Sequence, residues 1–344
     1  MFTLQQLAHT ASHSLLLSFL SFCIAMLLTP VFTHYAYKYK LWKRSRTTAT
    51  TGEALQVISK LRIKRTIPRM SGVITVAAVT IVTVVFNLDR HQTWLPLTGF
   101  LGGGFIGLLD DIINIKGWGA TAGTVAGLRG RIKFAMLIAV GAIGAWFFYY
   151  KLGVSHVHLP YMGNVFIGWC MIPLFILVVV STGNAVNISD GMDGLAGGLL
   201  VSAYGAYGVI AFLQSNFGIA TFCMTVVGAL LAYLWFNIPP ARFVMGDVGS
   251  FSLGTALGVI AMQTNTVVLL PLIGLVFVAE AGSSVLQISS KKLFHRKIFI
   301  AAPIHHHFEA MGWEKTKVTM RFWVIGEVCA ALGVILALIG GYIY

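Results

Sequence analysis

The chain has 344 residues, of which 57% are hydrophobic and only 10% are charged. Soluble globular domains carry about 25% charged residues, so the composition excludes that class and indicates a polytopic membrane protein. The formal net charge of +13 is confined to particular loops, which argues against nucleic-acid binding and for a topology signal.

Crossing the hydrocarbon core takes about 20 apolar residues. On that rule the chain holds about ten candidate transmembrane helices, near 14–33, 70–88, 94–112, 132–150, 164–182, 195–213, 217–236, 251–264, 267–289 and 322–342, the eighth being short. An all-α integral membrane protein is predicted, with 1–344 as a single domain. The first span is not a cleaved signal peptide, because its basic residues follow the apolar run and no small-residue cleavage site is evident. Of the 24 Lys and Arg, all but Arg90 and Lys151 fall in the loops after spans one, three, seven and nine. The positive-inside rule places those loops in the cytoplasm and both termini on the periplasmic side. Cys23, Cys170, Cys223 and Cys329 lie in apolar runs and read as packing residues. Gly103/Gly107 and Gly254/Gly258 suit close helix packing or a dimer contact, and a homodimer is expected.

On this topology, polar clusters far apart in sequence share the cytoplasmic face. Phe105-Ile-Gly-Leu-Leu-Asp-Asp111 ends the third span with two carboxylates, which share a cation or divide ligation and proton transfer. The stretch from Asn184 to Gly198 carries Asn184, Asn187, Asp190 and Asp193. If it is helical, that three-residue spacing lines up a hard-oxygen surface suited to Mg²⁺ and to sugar or phosphate hydroxyls. Asp247, in Met245-Gly-Asp-Val-Gly249, sits just before a helix start, where a carboxylate holds a cation while backbone N–H groups meet phosphate.

His305, His306 and His307 cannot all face one ion from a regular helix, so a loop presenting imidazole N–H groups to a diphosphate is expected. Lys60-Leu-Arg-Ile-Lys-Arg-Thr-Ile-Pro-Arg-Met-Ser-Gly72, with Lys64, offers phosphate-binding cations at the membrane surface. Glu280 and Gln287 lie within the ninth span, and Glu327 within the last. Acids at that depth are expected to face a protein interior or cavity. No P-loop or kinase signature is present, which argues against nucleoside triphosphate hydrolysis. Together these clusters suggest phosphoryl chemistry on a lipid-borne acceptor with a water-soluble phosphorylated donor. A transporter is the rival reading, but it would place its binding groups near the bilayer midplane.

Gly107-Leu-Leu-Asp-Asp111, Asn184-Ala-Val-Asn-Ile-Ser-Asp-Gly-Met-Asp-Gly-Leu-Ala196 and Phe236-Asn…Met245-Gly-Asp-Val-Gly-Ser250 resemble the polyprenyl-phosphate N-acetylhexosamine-1-phosphate transferases. Within that superfamily, Phe299-Ile-Ala-Ala-Pro-Ile-His-His-His-Phe-Glu-Ala-Met-Gly-Trp313 followed by Arg321-Phe-Trp323 resembles the phospho-N-acetylmuramoyl-pentapeptide transferases of peptidoglycan synthesis. The resemblance covers nearly the whole chain. It departs at Thr66-Ile-Pro-Arg-Met-Ser-Gly72, where the family commonly has Gly-Thr-Pro-Thr-Met-Gly-Gly. Here Ile-Pro-Arg leans toward the N-acetylglucosamine-1-phosphate branch. Asn114 stands where a Lys usually follows the Asp pair, and Val244 where an aromatic residue usually precedes Met-Gly-Asp.

The resemblance implies a Mg²⁺-dependent enzyme of the bacterial inner membrane, embedded in membrane lipid. It would join UDP-N-acetylmuramoyl-pentapeptide to undecaprenyl phosphate, giving lipid I and UMP. The alternative donor is UDP-N-acetylglucosamine. Catalytic roles are expected for Asp110, Asp111, Asp247, His305, His306 and His307, with Asp247 and Asp111 on the metal. Substrate binding is expected at Lys64, Lys133, Asn184, Asn187, Asp190, Asp193, Asn237, Glu280 and Gln287. Direct attack of the lipid phosphate on the donor diphosphate is favoured over a covalent phosphosugar intermediate on Asp247.

Overall fold

Nearly every apolar run folds as a helix, and the computed structural model describes residues 3–42, 67–117 and 127–343. Helix α1 (Leu4–Lys38) starts from a capping box between Thr3 and Gln6. It is followed by α2 (Gly72–Phe86), α3 (Trp94–Lys116) and α4 (Gly130–Trp146), the last running on through a π turn to Lys151. An antiparallel hairpin of β1 (His156–Leu159) and β2 (Gly163–Phe166) pairs Val157 with Val165, a small addition to the all-α expectation. Next come α5 (Met171–Ser189), α6 (Leu195–Leu213), α7 (Phe217–Asn237) and α8 (Gly246–Gln263). The short α9 (Leu270–Ile273), α10 (Leu275–Phe294), α11 (Ile304–Ala310) and α12 (Lys315–Ile339) complete the chain.

Among the described residues, seven helices are long and apolar enough to cross a membrane, or eight if the bent segment 267–294 is one span. All ten expected spans coincide with helical segments, but α2 has only 15 residues and α8 is not among the seven. The expected ninth span is broken, its two helical parts meeting at 82°.

Helix α8 is the hub. Every residue from Val248 to Met262 is buried, and α8 packs against α3 and α5. Lipid tails are as apolar as leucine, so close backbone approach and polar contacts hold such helices together. The glycine pairs supply the approach. A Cβ on Gly103 would strike Thr255 and Phe251, one on Gly107 would strike Asp247, and one on Gly254 would lie 2.7 Å from the Thr182 carbonyl. These glycines therefore serve packing within the chain. Polar contacts add to it: Ser252 Oγ donates to Phe100 O (2.6 Å) and Thr255 Oγ1 to Gly99 O (2.8 Å).

Asp110 and Asp111 near the end of α3, Asp190 just after α5, and Asp247 at the start of α8 all fall at one end of the bundle. Leu41, after α1, also lies there, since Arg69 N donates to its carbonyl (2.8 Å). The start of α1, the hairpin and the residues after α12 lie at the other end, where Tyr161 N meets Gly340 O (3.4 Å). All four cysteines are free; Cys223 and Cys329 are buried, whereas Cys170 is exposed before α5.

Candidate active site

The site is built around a backbone corner. Residues 68–72 run beside 244–245, with Val244 N donating to Pro68 O (2.9 Å) and Gly72 N to Met245 O (2.9 Å). Gly246 then turns the chain into α8 at φ +77°, a conformation glycine adopts without a Cβ penalty. A Cβ there would stand 2.6 Å from Asp111 Oδ2 and 2.9 Å from Met70 N, so only glycine lets these segments close on one point. The first N–H groups of a helix lack intrahelical partners and favour negative charge. Here Gly246 N donates to Asp190 Oδ2 (3.2 Å) and Val248 N to Asp111 Oδ2 (3.1 Å).

Lys133, from the first turn of α4, reaches into this cluster. Its ammonium lies 2.7 Å from Asp110 Oδ2 and 3.0 Å from Asp247 Oδ2. Asp110 also accepts from Asn114 Nδ2 (2.8 Å) and from Leu128 N (2.7 Å), so most of its acceptor capacity is already used. Asn114, the departure beside the Asp pair, thus holds Asp110 in place. Burial pushes the Asp190 carboxyl up to about 8, against the opposing pull of Arg69.

Arg69 is the second cation. Burial alone would lower its pKa, but the fields of Asp247, Asp111, Asp190 and Asp110 outweigh that and raise it. Among the described residues its Nε is buried without a hydrogen-bond partner.

The stripe expected over 184–193 does not form. Helix α5 ends at Ser189, and Asp190 and Asp193 belong to the turn before α6. Gly194, at φ +78°, allows that turn. Asn184 Nδ2 is bonded back to Val180 O (2.8 Å), whereas Asn187 Nδ2 donates to Ser250 Oγ (2.8 Å) on α8. Asp193 Oδ2 accepts from Ala241 N (3.3 Å). Asn237 clasps two loops, accepting from Gly194 N (2.8 Å) and donating to Phe243 O (2.8 Å).

The three histidines stand on the short helix α11, where a loop was expected, and each takes a different partner. His305 Nδ1 lies 2.7 Å from Glu280 Oε2, both side chains being buried, and the His305 ring abuts Gly191 beside Asp190. Glu280 therefore faces the interior, as expected. His306 Nδ1 lies 2.9 Å from Glu309 Oε2, and His307 Nδ1 accepts from Ile300 N (3.2 Å). The His306 hydrogen bond holds the Glu309 carboxyl below its ordinary range, against partial burial and with help from Lys315. Gln287 fixes the preceding loop, accepting from Ile298 N and Phe299 N at 3.0 Å each. Glu327 does not turn inward: it sits on an exposed face of α12 and accepts from Ser202 Oγ (2.6 Å). Lys64 lies outside the described residues.

Among the described residues no three His, Cys, Asp or Glu side chains are grouped to enclose a metal ion. Mg²⁺ does not need such a cage, because it usually takes one or two carboxylates and completes its shell with water and substrate phosphate. The hard oxygens of Asp247 and Asp111, on adjoining sides of the corner, fit that requirement.

The profile of the glycosyl transferase family 4 matches residues 93–265. A protein of Chloroflexus aggregans named phospho-N-acetylmuramoyl-pentapeptide-transferase is 39% identical, over 97% of this chain and 92% of its own length. A protein of the same name from Geobacillus thermodenitrificans is 34% identical, over 91% of this chain and 94% of its own. The chain belongs to the phospho-N-acetylmuramoyl-pentapeptide-transferase family. Within this transferase, Arg69, Glu280 and the histidines lie outside residues 93–265, whereas the likeness to the whole-length relatives spans nearly the full chain. Two residues of the candidate site have no individual role in the sequence patterns. Arg69 stands among the phosphate-binding cations of the stretch from Lys60 to Gly72, and its Ile-Pro-Arg departure is the signal that sets it apart. Ser250 closes the Met-Gly-Asp-Val-Gly-Ser motif, which by itself gives its hydroxyl no partner.

Proposed function

We propose that this protein joins UDP-N-acetylmuramoyl-pentapeptide to undecaprenyl phosphate, forming lipid I and releasing UMP. The observation that carries this reading is the convergence of Asp110, Asp111, Asp190 and Asp247 on Lys133 and Arg69 at one bundle end, in a chain of this family. The same reading puts that end at the cytoplasmic face of the bacterial inner membrane, in keeping with the basic loops. It also includes a homodimer, whose contact lies elsewhere than the glycine pairs used up inside the chain.

The lipid phosphate attacks the sugar-linked phosphorus of the donor diphosphate. The second pKa of a phosphate monoester is about 6, so this nucleophile is largely ionised at neutral pH. A strong base is unnecessary, which accords with an Asp110 already committed to Asn114, Leu128 and Lys133. Asp110 then serves to fix Lys133, whose ammonium offsets charge on the transferring phosphates. Asp247 and Asp111 would hold Mg²⁺, which when bound neutralises charge developing on the departing UMP.

The test is UMP release by the purified protein in detergent with undecaprenyl phosphate and Mg²⁺. The muramoyl-pentapeptide and N-acetylglucosamine donors are supplied in parallel, and Asp247→Ala serves as control. Release from the muramoyl donor alone, lost in the variant, is expected. Release from the other donor would move the protein to the sister branch, and no release from either would overturn the transferase reading.

A further inference from the structure

We propose that Arg69 is a phosphate-binding residue of this site, its guanidinium taking a non-bridging oxygen of a substrate phosphate beside the carboxylate corner. The inference rests on the transferase reading above. Arg69 is held by its backbone on both sides: its own N–H donates to Leu41 O (2.8 Å), and Pro68 O accepts from Val244 N (2.9 Å). Met70 N closes against Gly246, and Ser71 donates through Oγ to Val244 O (2.8 Å). The backbone that carries Arg69 is therefore fixed beside the corner that bears Asp247 and Asp111.

The two cations of the cluster are used differently. Lys133 already has two carboxylate partners, Asp110 at 2.7 Å and Asp247 at 3.0 Å. Arg69 feels the field of the same carboxylates, yet among the described residues its buried Nε has no partner. A charged guanidinium with an unused donor, beside carboxylates suited to Mg²⁺, meets the needs of a phosphate shared with that cation. Arginine is suited to this because its planar fork matches phosphate oxygens, whereas an ammonium acts as a point charge.

The bland alternative is that Arg69 is only a counter-ion that keeps four acids folded together. Arg69→Gln and Arg69→Lys, prepared in the full chain, separate the two. For each variant we would measure KM for undecaprenyl phosphate, KM for the UDP donor, and the affinities of UMP and of uridine by calorimetry. A charge-assisted hydrogen bond lost from a phosphate is expected to raise one KM roughly tenfold or more, with Lys recovering part of it. If the phosphate is the donor's, UMP affinity falls in Arg69→Gln while uridine affinity holds. If it is the lipid's, only the acceptor KM rises. Unchanged KM values and unchanged UMP affinity in a folded Arg69→Gln protein would overturn the proposal. If Arg69→Gln does not fold, equal KM values and UMP affinity in Arg69→Lys and wild type would do so instead. A wild-type protein that releases no UMP would overturn the transferase reading itself, and the proposal with it.

Discussion

The ammonium of Lys133 lies 3.0 Å from the carboxylate of Asp247, although 114 residues separate them in the chain. That contact ties the first turn of α4 to the first turn of α8, with Asp110 of α3 as the third member. Replacing Lys133 by Met leaves two carboxylates facing each other with one cation fewer. UMP release is expected to fall about 100-fold or more, as for other lost charge stabilisers. Lys133→Arg should retain more activity than Met, and steady-state assays of the three proteins check the order.

A second prediction concerns Gly246. Its φ of +77° and the nearness of Asp111 Oδ2 and Met70 N leave no room for a methyl group. Gly246→Ala is expected to destabilise by roughly 2 kcal/mol or more and to remove activity. Gly205, inside α6, is the matched control, because a Cβ there meets nothing within 4 Å. Gly205→Ala should be neutral or stabilise by up to about 1 kcal/mol, through helix propensity alone. Thermal unfolding in detergent measures both.

The buried pair of Glu280 and His305 gives a third. Removing one partner of such a pair leaves the other's buried polar atom without its hydrogen bond and costs about 1–3 kcal/mol. Glu280→Ala should therefore lower Tm markedly, and Glu280→Ala with His305→Ala should cost less than the sum of the single changes. Additive losses in that double-mutant cycle would show the two side chains to be independent.

Asp190 sets a pH dependence. Burial pushes its carboxyl up to about 8, so the folded state holds a proton that the unfolded chain releases near pH 4. A carboxyl shifted upward contributes stability that is complete below the unfolded value and is lost as pH rises through the folded one. Without Mg²⁺, the wild-type Tm should thus decline between about pH 4 and pH 8 relative to Asp190→Asn. Parallel Tm–pH curves of the two proteins are the check.

What the sequence made legible was mostly what repeats or stands out against an apolar background. The helices, the interior Glu280 and the meeting of Asp110, Asp111 and Asp247 follow from runs of apolar residues and from the cost of acids near them. The residues that depend on exact chain path were not legible. Asn184, Asn187, Asp190 and Asp193 share a three-residue spacing, yet the helix end at Ser189 separates the two asparagines from the two aspartates. Asn237 and Gln287 look like ligand groups, but their carboxamides answer backbone N–H and C=O groups that only the folded loops bring near. Gly103 and Gly107 gave the spacing for close approach without saying whether the neighbour was α8 or a second copy. Arg69 belongs to a stretch that reads as phosphate-binding as a whole, and only the folded backbone shows which of its cations stands beside the carboxylates.

Helix α8 is enclosed by protein along nearly its whole length, and it is not among the seven helices apolar enough to cross unaided. The hydroxyls of Ser252 and Thr255 find acceptors on α3, so the bilayer alone is a poor host for it. The burial of α8 therefore depends on α3 and α5, the helices packed against it. The residue at its tip, Asp247, consequently reaches its working position only when the three helices have come together, and assembly of the bundle and completion of its chemistry are one event.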